Sequence, residues 1–184
     1  MSNKTYVINL LGGSGLGKST LAAELFARMK HEKLHVELVR EYVKEWAWEG
    51  KAVNEFGQAY IYGKQLKRES MLYNKLDFVV TDSPLILAAI YQKFYNDHES
   101  IKHQILHDLN TAKSKGVVHL NFLLQRHKDF DTRGRYEDEA TAKKVDLAVE
   151  NFLINNNLDY KKLHVKDEDR VNGILEYLKL LGAL

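Results

Sequence analysis

The chain has 184 residues, 45% hydrophobic and 28% charged, the balance of a water-soluble domain with a sizeable core. Cysteine is absent, which excludes disulfides and thiolate metal sites. The net charge of +2 gives a whole-protein field too weak for a chain whose main task is to coat nucleic acid.

No apolar run approaches the roughly 20 residues that span a bilayer, and the polar start from Met1 to Thr5 lacks the apolar stretch of a signal peptide. A cytoplasmic location without a membrane partner is expected. There is no repeat, low-complexity tract or Pro/Gly/Ser linker, so one domain is expected over residues 1–184. Short β-rich runs alternate with longer helical patterns, the signature of a parallel sheet covered by helices. Thr5 to Leu11 reads as a buried strand. Lys18 to Lys30 reads as a helix, with Leu21, Leu25 and Met29 on one face and Ala22 and Phe26 beside them. Val36 to Arg40 is a second strand, and a helix is expected from about Asn54 to Tyr73. Phe78 to Thr81 is a third strand, and Pro84 suits the first turn of the helix after it. Val117 to Gln125 is a fourth strand. A charged loop leads to a helix from about Asp138 with Val145, Val149, Phe152 and Leu153 inward. Tyr160 to Val165 is a fifth strand, and Val171, Ile174, Leu175, Leu178 and Leu181 mark a last amphipathic helix.

Gly12-Gly13-Ser14-Gly15-Leu16-Gly17-Lys18-Ser19 matches the Walker A pattern G-x-x-x-x-G-K-[ST] in full, between a strand and a helix. Glycines let backbone N–H groups close on an anion, and the helix directs its positive end at it. Lys18 is expected to reach the β- and γ-phosphates of ATP and the Ser19 hydroxyl to bind Mg²⁺, with Thr20 continuing the cradle. The run Phe78-Val-Val-Thr-Asp82 ends in a carboxylate at the edge of a strand. Asp82 is therefore the candidate to hold Mg²⁺, directly or through water; capping the helix that starts at Pro84 is its competing role. Ser83 stands where many motor ATPases carry a water-activating glutamate, which favours transfer to a bound hydroxyl over hydrolysis.

In an open α/β sheet, ligands bind beyond the carboxyl ends of the strands. Glu41, past the second strand, is the candidate base or orienting group for an acceptor hydroxyl; a surface glutamate at a helix start is the alternative. Tyr42 and Trp46, four residues apart, could stack on a flat ring or pack in the core. Gln58, Tyr60, Lys64 and Gln65 form a polar set that could contact an acceptor or lie on a solvated face. Arg126, Arg133 and Arg135 follow the fourth strand and are candidates for a lid that closes on ATP and stabilises transferring charge. Glu137, Asp138 and Glu139 favour a helix start after it.

These motifs together, the P-loop, Arg40-Glu41-Tyr42, Thr81-Asp82-Ser83-Pro84 and Arg126…Gly134-Arg135 with its acidic tail, resemble those of a family of small P-loop kinases. It includes nicotinamide riboside kinases and phage kinases that phosphorylate 5-hydroxymethyluracil in DNA. The resemblance implies a three-layer α/β sandwich: a five-stranded parallel sheet in the order 2-3-1-4-5, helices on both faces, and a lid over approximately 126–139. It implies that Glu41 or Asp82 assists the acceptor hydroxyl, with ATP and Mg²⁺ as cofactors and no obligate protein partner. The Thr81-Asp82-Ser83-Pro84-Leu85 run looks more like the phage branch, which would place the protein in a host cytoplasm. A DNA acceptor would call for a basic surface, for which Lys64, Lys67, Arg68 and Lys75 are candidates, as they are for ordinary solvated charge. A nucleoside monophosphate kinase and an NTP-gated regulatory module with slow hydrolysis are the competing readings. Two motifs are decoys. His31-Glu-Lys-Leu-His35 fits H-E-x-x-H but crosses a helix end, and Asn74-Lys-Leu-Asp77 fits the guanine-reading N-K-x-D but precedes its strand.

Overall fold

A computed structural model describes residues 4–51, 57–96, 98–126, 138–163 and 169–184. Its elements follow in the order β1 (Thr5–Leu11), α1 (Lys18–His31), β2 (Val36–Val39), α2 (Lys44–Trp48), α3 (Gly57–Ser70) and β3 (Phe78–Thr81). Then come α4 (Ile86–Asn96), α5 (Lys102–Ser114), β4 (Val117–Leu124), α6 (Glu139–Asn155), β5 (Tyr160–Leu163) and α7 (Arg170–Leu180). All five strands are parallel, in the order β2-β3-β1-β4-β5 that the resemblance implies.

Alternation along β1 sends its side chains to the two faces of the sheet. Ile8 and Leu10 pack with Leu21, Leu25 and Met29 of α1 and Ile174 and Leu178 of α7. Leu11 faces the other way, against Leu87 and Ile90 of α4, Ile105 of α5 and Val145, Val149 and Leu153 of α6. Helices therefore cover both faces, which is why β1 and β3 read as nearly unbroken apolar runs. With β3 on one side and β4 on the other, β1 is central, and its carboxyl end delivers the Gly-rich loop to the middle of the sheet edge.

Several boundaries differ from the sequence reading. Pro84 lies in a turn before α4, where its carbonyl accepts from the Leu87 N–H at 2.9 Å. Leu181 follows α7 and is 46% exposed, so the inward stripe ends at Leu178. The short α2 and the whole of α5 have no clear sequence signal; α5 buries only Ile105 and Ala112, too sparse a stripe to read. Residues expected to start α3 before Gly57, and those expected to end β5 after Leu163, lie outside the described residues. Both decoys fail as expected. His31 closes α1 and Lys33 turns the chain at φ 61° before His35, while Asn74, at φ 58°, sits in the turn before β3. Among the described residues no helix is long and apolar enough to cross a membrane.

Candidate functional site

The loop between β1 and α1 is held by its carbonyls. Lys18 Nζ donates to the carbonyls of Gly12 (2.8 Å) and Gly13 (2.6 Å). Arg126 Nη2 donates to the Ser14 carbonyl at 2.9 Å, and the buried Arg170 donates from Nη1 to the Leu16 carbonyl at 2.8 Å. With four carbonyls taken up by cations, amide N–H groups of the loop other than that of Gly13 are left as the surface for an anion. Gly17 occupies the left-handed region at φ 77° and caps α1, so the first turn of that helix opens onto the loop. Ser19 and Thr20 lie on that turn and are exposed.

Helix α6 braces the loop from the other side. A Cβ at Gly13 would stand 2.5 Å from the Ala142 carbonyl oxygen, so only glycine fits. The Gly13 N–H donates to Asp146 Oδ1 at 2.6 Å. The other oxygen of Asp146 accepts from Arg126 Nε (3.0 Å) and Nη2 (2.9 Å), a forked ion pair. Arg170 also donates to the Gln125 carbonyl at 2.7 Å, tying the loop to the end of β4. Asp146 and Arg170 escaped the sequence reading. Asp146 adjoins Val145 of the apolar stripe and Arg170 opens α7, but nothing in their spacing links either one to residues 12–17.

Parallel register puts Thr81 opposite Asn9, so Asp82 emerges at the sheet edge shortly before the chain in β1 reaches Gly12. Asp82 is 5% exposed, and its Oδ1 accepts from the Glu41 N–H at 2.9 Å. Among the described residues no α4 amide bonds to Asp82, so its observed partner is the exit of β2 and not a helix start. Beyond Glu41, the three rings of Tyr42, Trp46 and Tyr60 form one cluster. Trp46 and Tyr60 stack at 5.8 Å between centroids and 22° between planes, and Tyr42 meets both edge-on. The Arg68 guanidinium lies 4.8 Å over Tyr42 and Lys64 Nζ 5.2 Å over Tyr60. The polar set on α3 divides: Gln58 and Gln65 are buried, against the solvated-face alternative, whereas Tyr60 and Lys64 are exposed. Gln65 Oε1 accepts from the Tyr42 N–H at 3.2 Å. Lys67 and Lys75 are exposed, and Arg68 pairs with Glu45. Arg133 and Arg135 lie outside the described residues.

Behind this edge the interior carries polar side chains. Asn9 Nδ2 donates to Asn121 Oδ1 at 2.9 Å and lies 3.3 Å from His119 Nδ1, and the Tyr73 ring stands edge-on to His119. Burial pulls the His119 imidazole down to about 4. The Tyr73 hydroxyl donates to Glu69, whose carboxyl is pushed up to about 7 by burial, a rise that this hydrogen bond partly offsets.

A glycine-rich loop between a central parallel strand and a helix, in a sheet ordered β2-β3-β1-β4-β5, defines a P-loop nucleotide-binding protein. The chain belongs to the AAA domain family, whose model matches residues 7–170. Its fold is similar to that of a NadR protein solved in complex with NR, at TM-score 0.72 and 17% identity. That match covers 96% of this chain, which spans only 50% of the NadR chain. It is also similar to the deoxyadenosine kinase of M. mycoides, solved with products dCMP and a flexible dCDP (TM-score 0.63, 16% identity, 95% of this chain and 99% of that one). The same enzyme with bound dATP gives TM-score 0.59 at 18% identity, over 94% and 99% of the two chains. The fold is thus that of small P-loop kinases. No curated protein matches the chain at a significant level.

Proposed function

We propose that the protein is an ATP-dependent kinase that transfers the γ-phosphoryl group to a hydroxyl of a nucleoside-like acceptor, with 5-hydroxymethyluracil in phage DNA the preferred acceptor. The observation that carries the reading is the bond between Asp82 and the Glu41 N–H. It joins a buried carboxylate at the end of β3, the strand next to β1, to the residue that leads into the ring cluster. Donor and acceptor sites of a phosphotransferase must adjoin in this way, because the reaction needs in-line approach more than covalent help from the protein.

Lys18 and the loop amides hold the β- and γ-phosphates, and Arg133 and Arg135 close over them as lid residues. The donor set fits Mg²⁺: an exposed hydroxyl on the first turn of α1, Ser19, and a carboxylate, Asp82, whose Oδ1 alone bonds to protein among the described residues. When bound, the ion supplies neutralisation of charge on the phosphate oxygens. Glu41 orients the acceptor hydroxyl or takes its proton. Tyr42, Trp46 and Lys64 line the acceptor side with Gln58 buried behind them, where half-buried rings and a cation suit a flat base. The likeness of fold to a NadR protein and to deoxyadenosine kinase supports a nucleoside-like acceptor.

The test is transfer of labelled γ-phosphate from ATP to a panel of nucleosides, nucleoside monophosphates, nicotinamide riboside, and duplex DNA with and without 5-hydroxymethyluracil. Label on modified DNA alone is the expected result. Label on a free nucleoside, on nicotinamide riboside or on a monophosphate would move the assignment to that acceptor. Phosphate released only to water would replace the kinase by a regulatory NTPase. Lys18→Ala is expected to abolish turnover while the chain stays folded. Glu41→Gln is expected to lower the acceptor-dependent rate more than ATP affinity; an unchanged rate would make Glu41 structural.

A further inference from the structure

A carboxylate in hydrogen-bond contact with a phosphate-binding loop needs an explanation. Asp146 Oδ1 is 2.6 Å from the Gly13 nitrogen, and at short range a like charge opposes a bound polyanion. Nothing in the loop motif asks for this residue. Its second oxygen, however, is covered by the Arg126 fork at 2.9 and 3.0 Å, and that ion pair is sheltered, with side-chain exposures of 12% for Arg126 and 23% for Asp146. Arg126 also holds the Ser14 carbonyl, so the pair grips the loop at two consecutive residues through groups of opposite sign. The two side chains come from the end of β4 and the middle of α6, which makes the grip a junction of three elements.

We propose that Asp146 is a positioning residue that fixes the P-loop through the Gly13 N–H, and that Arg126 cancels its charge so that a carboxylate can stand beside an anion site. Arg126 then acts through Asp146 and the Ser14 carbonyl and is not a lid arginine reaching the transferred phosphate. The inference rests on the reading of the loop as a nucleotide site. It explains why the sheltered Arg126–Asp146 pair is turned onto backbone groups of residues 13 and 14. Neutral hydrogen bonds would serve the same geometry, but the charged pair gives shorter, better-directed contacts in a sheltered place.

Equilibrium binding of ATP, ADP and adenosine to the wild type and three variants tests this, with thermal midpoints read alongside. Arg126→Ala leaves Asp146 uncompensated. It is expected to weaken ATP at least tenfold, ADP less, and adenosine least, following ligand charge. Adding Asp146→Asn to the same chain keeps an oxygen for the Gly13 N–H and removes the charge, and is expected to restore most of the ATP affinity. Asp146→Asn alone is expected to cost less than Arg126→Ala. Should Arg126→Ala not fold, Arg126→Gln, which retains donors without the charge, takes its place in the same comparison. An arginine that touched phosphate itself would give the same order of losses with no recovery in the double variant, and that result would overturn the proposal. So would losses equal for ATP and adenosine. A wild type that binds none of the three ligands would instead remove the nucleotide reading on which both rest.

Discussion

Two glycines in this chain sit in opposite circumstances, and substitution separates them. At Gly13 an added Cβ would lie 2.5 Å from the Ala142 carbonyl oxygen, a backbone atom within α6 that cannot swing aside. Gly13→Ala is therefore expected to destabilise the fold by about 1–3 kcal/mol, the usual cost of forcing extra volume into a packed site. It should also weaken ATP, because relief requires α6 and the loop to part. At Gly63, in the body of α3, nothing lies within 4 Å of the same added atom. Gly63→Ala is expected to stabilise by roughly 0.4–1 kcal/mol through lost freedom of the unfolded chain. Urea unfolding of the two variants checks both signs. A stable Gly13→Ala with unaltered nucleotide affinity would mean that α6 does not brace the loop.

At the scale of elements, α3 shows where sequence pattern and structure part company. Its inward face carries Gln58, Tyr62, Gln65 and Glu69, while Tyr60 stands out in the ring cluster. Polarity alone would place those residues in water; inside, the Tyr42 N–H meets Gln65 Oε1 and the Tyr73 hydroxyl meets Glu69 Oε1, while Gln65 Nε2 and Glu69 Oε2 are buried without a partner among the described residues. Helices α1 and α6 were legible because their buried residues are aliphatic and evenly spaced, and α5 was not because it buries two residues over thirteen. Gln65→Leu keeps much of the volume and removes the acceptor. Its expected effect is faster amide hydrogen exchange at Tyr42 with β1 amides unchanged, and a lower acceptor-dependent rate at nearly constant ATP affinity. Unaltered exchange at Tyr42 would show that Gln65 does not hold the exit of β2. The Walker A loop was readable whole because its parts are consecutive. Its supports at Arg126, Asp146 and Arg170 lie more than a hundred residues downstream, where only the folded sheet brings them near.

For the molecule as a whole, strand periodicity gave five strands but no order, since alternation records which faces are covered and not which strands are neighbours; the order came through family resemblance. The buried polar groups across the sheet add a property that no motif announces, a stability that falls away on both sides of a middle pH. His119 carries a pKa of about 4 in the fold against 6.5 ordinarily, so between those values the unfolded chain binds the extra proton. Its contribution is complete above pH 6.5 and is lost as pH falls towards 4. Glu69 is the reverse: at about 7 in the fold against 4.5 ordinarily, it holds a proton that the unfolded chain has released. Its contribution is complete below pH 4.5 and is lost as pH rises to 7. Between 4.5 and 6.5 the two slopes oppose each other, leaving a decline with acid below that window and a decline with base between 6.5 and 7. Glu69→Gln removes one arm and leaves the Tyr73 hydroxyl an oxygen to donate to. The stability of the variant minus that of the wild type, from urea unfolding at a series of pH values, should rise steadily from pH 4.5 to 7 and stay level above it. Other carboxylates cancel in this difference, so a difference that does not change with pH would mean that Glu69 is ionised in the fold and that the interior is wetter than its burial shows.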